Sequence, residues 1–544
     1  MTTEEQSPAR PRVTLTQGTV VGIQQQDAYP KPVDAFLGIP YALPPTGDRR
    51  FRPPEKVAPS TAVIDASKFG FRAPAKLFVV RGPTLEESED CLTANVFRQT
   101  GSAGSLPVAV YFHGGAFNRG NAATHDTASM FGWSAEPFIA VSFGYRIGAL
   151  GFLPSKLSAK EGALNLGLKD QILLMEWVQE NIGQFGGDKN NVTIFGLSAG
   201  AHSIGHHLLD YEEGKPPLFH RVIMESGAPT SRAVRHYDSD IHEEQFRDFL
   251  EEVGCPESLS DEEVFPFLRS LPTSVIAKAQ TTVFYKYNPS LRWAFQPVID
   301  GSLIRHRPID GWRGGHWHKV PIMTGFNGNE GSLYVQKTMS EPSEFTNFFH
   351  ELLPQLSQDD LDAINALYPD PSTAPDSVYR EDRLSLGVGP QYKRVEAAYA
   401  HYAYVAPVRQ TAHFAGARAP VYLYHWAAVG SVVGGAAHGD NMAYEVREKE
   451  VCARSPAQHE LAGVLHAYLT SFICTGDPNR VPGDYGGRPD WVPHRGPEPR
   501  KLVFGLGNEE LIGGGVGTPA TVVADTWARK ESDFWWEKVE ISQQ

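Results

Sequence analysis

The chain has 544 residues, of which 41% are hydrophobic and 21% charged, and its formal net charge is −14 at pH 7. The hydrophobic content excludes a disordered chain, because disorder requires low hydrophobicity together with high net charge. The acidic balance excludes a nucleic-acid partner, which needs a basic face, and it opposes adhesion to anionic membranes.

Neither chain end carries a recognisable targeting or anchoring signal. Residues 1–12 are polar, without the apolar stretch of a signal peptide, and we expect them to be flexible. No run of about 18–20 apolar residues is present, so no membrane span is expected. Four widely spaced cysteines, without metal-site spacing, are typical of free thiols in a reducing compartment. These features predict a cytoplasmic protein, although a mature secreted chain that has lost its signal would look similar.

Short apolar runs alternate with helical patterns through the first half of the chain. Each run is rich in β-branched or aromatic residues and ends near glycine, which predicts buried strands. The predicted strands are 108–112, 138–143, 192–195 and 222–224. Apolar residues three or four apart predict a helix at 168–182, and a second helix is expected from Ala199. This alternation predicts an α/β fold with a mostly parallel sheet and ligands at the carboxyl ends of its strands.

The middle of the chain, residues 238–415, is less regular and mixes acidic helix-like segments with proline-rich turns. We expect it to form helical cap insertions over the sheet rather than a separate domain. No internal repeat or low-complexity linker divides the chain, so residues 1–544 are expected to form a single domain.

A candidate nucleophile lies between a predicted strand and a predicted helix. The segment Gly196-Leu197-Ser198-Ala199-Gly200 matches G-x-S-x-G. In that motif the serine sits on a tight strand-to-helix turn, and larger flanking side chains would clash. The pattern alone occurs by chance in roughly a third of chains this long, so the strand and helix around it carry the prediction. The alternative is a glycine-rich turn with an incidental serine.

A candidate oxyanion hole follows the strand predicted at 108–112. The loop His113-Gly114-Gly115-Ala116-Phe117 has small residues at the strand exit, which let backbone N–H groups converge on one point. The residue after the nucleophile, Ala199, would supply a further N–H. An ordinary glycine turn after a strand is the alternative.

At these two motifs the chain resembles the type-B carboxylesterase/lipase family, which includes cholinesterases and many fungal esterases. The resemblance implies an α/β-hydrolase fold, with a central twisted sheet flanked by helices and helical cap insertions. It covers roughly Val20 to Trp535. Further motifs in the family's order are Phe36–Ala42, Ser88–Leu92, Tyr145–Phe152, Gly186–Asp188, Glu225–Gly227, Pro297–Gly301 and Gly476–Asn479.

The resemblance implies the remaining site residues. The segment 325–332 is similar to the one that carries the family's catalytic acid, which falls on Glu330, and 434–439 is similar to the histidine segment, which falls on His438. The order serine, glutamate, histidine is that of α/β-hydrolases. Without the resemblance, Glu330 could not be selected from 63 acidic residues. Asp440, beside the histidine, is the alternative acid.

The resemblance also implies that the oxyanion donors are the N–H groups of Gly115, Ala116 and Ala199.

The chain also departs from the family pattern in several places, and these departures narrow the range of activities expected. No cysteine in 69–75 is available to pair with Cys91, which favours a non-secreted member close to the fungal intracellular ones.

Cholinesterases are a poor match in three places. They carry a tryptophan in their first loop to hold a cation, whereas no tryptophan precedes Trp133 here. They also have an acid where Leu197 stands, and an acid is common where Asn441 stands. Cholinesterase activity is therefore not expected, and Leu197 should make the pocket floor more apolar.

The predicted function is hydrolysis of carboxylic esters through an acyl-enzyme, on a small-molecule or secondary-metabolite ester. An alternative uses the same residues to pass the acyl group to another alcohol or amine, or to cyclise it. A catalytically inactive binding protein is a further alternative, which the presence of both Ser198 and His438 opposes. No metal cluster, phosphate loop or dinucleotide fingerprint occurs, so no metal or cofactor is expected. The sequence does not predict an oligomeric state.

Overall fold

The computed structural model describes residues 10–26, 28–76, 82–102, 104–232 and 234–542. Most of the segment predicted to be flexible, 1–12, therefore lies outside the described residues, and a strand already begins at Arg12. No helix in the described ranges is both long and apolar enough to cross a membrane.

The described residues form fourteen strands in two sheets. The strands are β1 (Arg12–Leu15), β2 (Gly18–Val21), β3 (Ile23–Gln25), β4 (Val33–Pro40), β5 (Val63–Asp65), β6 (Thr93–Gln99), β7 (Leu106–Phe112), β8 (Ile139–Phe143), β9 (Gly187–Leu197), β10 (Arg221–Glu225), β11 (Ile322–Asn327), β12 (Val421–Trp426), β13 (Arg500–Asn508) and β14 (Val516–Ala524). Strands β1, β2 and β5 form a small sheet, and the other eleven form the large one.

The large sheet has the order β14-β13-β12-β11-β10-β9-β7-β8-β6-β4-β3. The seven strands from β13 to β8 run parallel to one another, and the outer strands pair antiparallel. Strands β8, β10, β11 and β12 are buried over almost their whole length, as expected when helices cover both faces of a parallel sheet. The prediction of an α/β-hydrolase fold is confirmed.

Seventeen α-helices are present in the described residues. They are α1 (Thr127–Gly132), α2 (Lys156–Lys160), α3 (Leu166–Asn181), α4 (Ala199–Leu209), α5 (Asp240–Glu252), α6 (Asp261–Ser270), α7 (Thr273–Tyr287), α8 (Pro308–Gly314), α9 (Pro342–Leu352), α10 (Gln358–Leu367), α11 (Tyr392–Ala400), α12 (Ala406–Gly416), α13 (Asn441–Glu445), α14 (Lys449–Cys452), α15 (Pro456–Thr475), α16 (Arg529–Glu537) and α17 (Val539–Ser542). A π-helical turn, His401–Val405, joins α11 to α12.

The large sheet is covered on both faces. Apolar residues of α3 and α4 pack on one face, and those of α1 and α15 pack on the other. Both helices expected near the nucleophile are present, α3 beginning at Leu166 and α4 at Ala199. The carboxyl ends of the parallel strands are thus left as the place where loops can build a site.

The stretch 238–415 is not a continuous helical cap, because strand β11 lies within it and occupies the middle of the large sheet. The sequence of β11, Ile-Met-Thr-Gly-Phe-Asn, holds glycine and asparagine, which are depleted in strands, so its local pattern is weak. Pairing with β10 and β12 on either side outweighs that weak preference. The helices before and after β11 have separate apolar cores.

Candidate active site

Ser198 lies on the sharp turn between β9 and α4. Its backbone has φ 58° and ψ −124°, a conformation that costs a non-glycine residue about 1–3 kcal/mol. The turn is held because the Ser198 N–H donates to the Glu225 carbonyl at 2.9 Å and the Ser198 carbonyl accepts the His202 N–H at 2.9 Å. A Cβ added at Gly196 or Gly200 would lie 2.5 or 2.0 Å from the Phe112 carbonyl oxygen. The glycines on either side of the serine are therefore required by close packing on β7.

His438 and Glu330 form a buried hydrogen-bonded pair. The His438 Nδ1 donates to Glu330 Oε2 at 2.5 Å, and the Asn327 N–H donates to Glu330 Oε1 at 2.7 Å. With the proton on Nδ1, the Nε2 atom of His438 is left to accept a proton. The Asp440 carboxylate, the alternative acid, instead accepts the Ala437 N–H at 2.8 Å.

The histidine loop packs against the serine turn, although the two are far apart in sequence. A Cβ added at Gly439 would lie 3.2 Å from the Leu197 Cδ2 atom. Tyr334 bridges the two sides, since its side chain approaches Ser198 and its ring centroid lies 5.4 Å from that of His438. The structure thus brings Ser198, His438 and Glu330 into one cluster at the carboxyl end of the sheet.

The loop after β7 packs against the turn that carries Ser198. A Cβ added at Gly114 would lie 3.2 Å from Ser198 Cβ, so the loop contacts the nucleophile turn directly. The Gly115 carbonyl accepts the N–H groups of Asn118 and Arg119 at 3.0 and 2.9 Å. Because the N–H of a trans peptide points opposite to its C=O, this turns the Ala116 N–H away from those contacts.

The directions of the carbonyl groups also orient the N–H groups of Gly115 and Ala199, the other two predicted oxyanion donors. The Gly114 carbonyl accepts from the His113 ring at 2.9 Å, so the Gly115 N–H points the other way. The Ser198 carbonyl is engaged by α4, which leaves the Ala199 N–H at the N-terminal end of that helix, where partial positive charge collects. Burial lowers the pKa of His113 to about 4, so this ring is neutral near pH 7.

An aromatic wall with an arginine behind it was missed by the sequence reasoning. The Tyr404 ring lies 4.9 Å from the His438 ring, and the Tyr404 hydroxyl accepts a hydrogen bond from Arg232 Nη2 at 2.7 Å. Burial lowers the pKa of Arg232, but the nearby tyrosines raise it more, so its pKa stays above the ordinary value. Tyr334 follows Glu330 by only four positions, so its place near the predicted acid could have been inferred from the sequence. Tyr404 and Arg232 carry no such local signal.

A second carboxylate lies beneath the catalytic-acid loop. Glu396 of α11 is buried, and its Oε2 accepts a hydrogen bond from Asn329 Nδ2 at 3.3 Å. Burial raises the pKa of Glu396 to about 7, and the charge of Glu330 adds to the increase. This group therefore titrates near neutrality a short distance from the acid–histidine pair.

A serine on a strand–turn–helix, with an acid and a histidine on later loops over a mostly parallel sheet, defines an α/β-hydrolase. The profile of the carboxylesterase family matches residues 9–511. The chain is 36% identical to secreted lipase 4 of Gibberella zeae over 519 residues, 94% of this chain and 89% of that protein. It is 32% identical to lipase 1 of Geotrichum candidum over 423 residues, 69% of this chain and 73% of that protein.

The fold is also similar to a solved structure. The crystal structure of Aspergillus niger EstA superposes with a TM-score of 0.83 at 26% sequence identity, covering 98% of this chain and 99% of that one. The chain belongs to the carboxylesterase family, and it is a carboxylic ester hydrolase, as the sequence predicted.

Proposed function

We propose that Ser198, His438 and Glu330 hydrolyse carboxylic esters through an acyl-enzyme, with Gly115, Ala116 and Ala199 as the oxyanion donors. The observation that carries the proposal is the buried hydrogen bond from His438 Nδ1 to Glu330 Oε2 at 2.5 Å, on a loop packed against the Ser198 turn. That bond fixes the tautomer in which His438 Nε2 can act as a base.

In the first half of the reaction, Ser198 Oγ attacks the ester carbonyl carbon and its proton passes to His438 Nε2. The carbonyl oxygen becomes an oxyanion and is stabilised by the three backbone N–H groups. His438 then donates the proton to the departing alcohol, which leaves an ester of the acyl group on Ser198. Glu330 stabilises the transient imidazolium without taking its proton.

In the second half, water replaces the alcohol. His438 Nε2 takes a proton from the water as its oxygen attacks the acyl carbon, and then returns a proton to Ser198 Oγ as the acid leaves. Transfer to another alcohol or amine would use the same steps with a different acceptor. Hydrolysis is favoured because two of the relatives are lipases by name.

A small-molecule ester is the proposed substrate. Tyr334 and Tyr404 flank His438, so the wall beside the nucleophile is aromatic and suits an apolar part of the ester. Leu197, 6% exposed, adds an apolar side chain directly before the nucleophile.

A cytoplasmic location belongs to the same proposal. All four cysteines lie in the described residues and are free, which is typical of a reducing compartment. The relative named secreted lipase 4 instead supports secretion. Fractionation of producing cells decides between them: recovery in the washed cells supports the proposal, and recovery from the medium contradicts it.

The reaction is tested with p-nitrophenyl acetate, butyrate and octanoate, comparing the wild type with Ser198→Ala. Loss of the nucleophile should lower kcat by several orders of magnitude, leaving only oxyanion and binding effects. Ser105→Ala, at an exposed serine far from the site in sequence, is the matched control and should retain full activity.

Two further measurements separate the alternatives. An organophosphonate should label Ser198 in the wild type, and failure of both labelling and turnover would contradict the proposal. Product analysis with added methanol separates hydrolysis from transfer. A methyl ester as the main product at low methanol concentration would favour the acyl-transfer alternative.

A further inference from the structure

Three arginines surround one small cavity behind the aromatic wall of the site. The cavity has a volume of about 40 Å³ and is lined by Arg232, Arg235, Arg292, Trp293, Tyr399 and Tyr402. Since about 10–15 Å³ of such volume holds one water, the space accommodates a group of about three heavy atoms. A carboxylate has this size.

No acidic residue is among the described residues that line this cavity beside Arg235 and Arg292. Neither Arg235 nor Arg292 forms an ion pair with any residue in the described ranges, and Arg292 Nε has no hydrogen-bond partner there. The charge of Glu244 raises the pKa of Arg292, but the Glu244 carboxylate accepts its hydrogen bond from Tyr287, at 2.9 Å. Partly buried guanidinium groups that repel one another are costly unless an anion compensates them.

The pKa of Arg235 reflects this crowding. Burial is the main cause that lowers it to about 10, and the charge of Arg292 lowers it further. Both arginines also line a larger open groove, whose lining includes two carboxylates, that of Asp238, which is engaged by His236 at 2.5 Å, and that of Asp240. The small cavity is therefore the place where these arginines face an aromatic lining without a carboxylate.

Arg232 connects the cavity to the catalytic residues. Its guanidinium carbon lies 4.0 Å from the Trp293 ring centroid and 5.4 Å from that of Tyr334. The Tyr334 ring centroid is in turn 5.4 Å from that of His438, and the Tyr334 side chain approaches Ser198. One aromatic ring thus separates an arginine of the cavity from the reacting atoms.

We propose that this arginine-lined cavity is an anion subsite, and that the protein acts on esters carrying a carboxylate group a short chain away from the scissile bond. Planar guanidinium groups bind such oxyanions through paired N–H···O bonds. The aromatic lining excludes water and strengthens that attraction. The inference rests on the proposed ester hydrolysis at Ser198 and names its substrate class.

The first test compares charged and neutral esters of equal length. The pair for an anion on the acyl side is the p-nitrophenyl half-ester of adipic acid against p-nitrophenyl hexanoate. The pair for an anion on the alcohol side is 4-acetoxybenzoate against its methyl ester. The kcat/KM of the charged member should exceed that of its neutral partner by about tenfold or more in one pair. Equal or lower values in both pairs would overturn the inference.

The second test changes the arginines. Arg235→Gln and Arg292→Gln should each lower the charged-to-neutral ratio of kcat/KM by about tenfold to a hundredfold, mainly through KM. Arg235→Lys, which keeps the charge, should restore part of the ratio. Arg495→Gln, at an exposed arginine, is the matched control and should leave the ratio unchanged. An unchanged ratio in both glutamine variants would refute the subsite.

Inhibition of the wild-type enzyme by anions tests the subsite without any substitution, so the result does not depend on the folding of a variant. With p-nitrophenyl hexanoate as substrate, sodium adipate should inhibit competitively at concentrations where sodium chloride of equal ionic strength does not. No inhibition beyond that of the chloride salt would count against the inference.

The failure of this inference differs from a failure of the proposed function. Turnover of the hexanoate ester that is lost in Ser198→Ala establishes the reaction without any charged substrate. A wild type that hydrolyses hexanoate yet shows no preference for the charged ester, no dependence on Arg235 or Arg292 and no anion inhibition would retain the function and lose the subsite. A wild type that hydrolyses neither ester and resists phosphonate labelling would refute both.

Discussion

Glu396→Gln should stabilise the protein in a pH-dependent way. The Glu396 carboxylate is buried, one of its oxygens has no hydrogen-bond partner in the described residues, and burial raises its pKa from 4.5 to about 7. Between these two values the folded state holds a proton that the unfolded state has lost. The free energy of unfolding contributed by this group therefore falls as the pH rises from 4.5 to 7, and it stays low above pH 7.

The size of the effect follows from the pKa difference. A shift from 4.5 to about 7 corresponds to about 3 kcal/mol of lost stability above pH 7. Glutamine keeps the shape and cannot ionise, so the variant avoids this loss. The difference in unfolding free energy between variant and wild type should grow by about 2 kcal/mol from pH 5.5 to pH 8.

Urea unfolding followed by tryptophan fluorescence measures this difference, and the ten tryptophans provide ample signal. Glu537→Gln, at an exposed glutamate of α16, is the matched control and should show the same difference from wild type at both pH values. If Glu396→Gln also shows a constant difference, or becomes relatively less stable at pH 8, the reasoning from burial is refuted.

Gly114→Ala places a Cβ 2.7 Å from the Leu197 carbonyl oxygen and 3.2 Å from Ser198 Cβ. Displacement of the oxyanion loop should lower kcat for p-nitrophenyl butyrate about a hundredfold or more, and a kcat near wild type would argue against that role. Asp525→Asn removes the buried partner of Arg409 and Lys501, so urea unfolding should report a loss of about 3–5 kcal/mol. Several buried histidines have their pKa lowered to about 4 by burial, so the unfolded state binds more protons below pH 6.5 and stability should be lost between pH 6.5 and 4. They include His113, His206 and His466. A Tm that stays constant over this range would contradict the last prediction.

The nucleophile turn was predictable because its geometry depends on neighbouring residues. Gly196 and Gly200 are required by the approach of the Phe112 carbonyl, and the strand before them and helix after them have clear local patterns. Strands β7, β8, β9 and β10 were predictable because buried parallel strands are apolar over most of their length. Strand β11 was not predicted, because its one glycine and one asparagine weaken the apolar pattern of a strand. Its pairing with β10 and β12 exists only in the folded chain.

Residues that meet only in the folded chain left no signal in the sequence. Glu330 lies 108 positions from His438, and the choice of this acid depended on family resemblance alone. Arg232 lies 172 positions from Tyr404, whose hydroxyl it contacts. No period or motif connects such pairs, because their proximity is created by the order of the strands and by the packing of cap helices on the sheet.

The distance between serine and histidine along the chain also has a consequence for synthesis. When a growing chain has been synthesised as far as Leu209, it contains the proposed nucleophile Ser198 and the proposed oxyanion loop, but the proposed base, His438, is still more than 200 residues away. Strands β11 and β12 both precede His438 in the chain, so they are synthesised before the histidine loop. Since synthesis proceeds from the N-terminus, we expect a nascent chain of this topology to lack esterase activity until the segment that carries the proposed base has emerged.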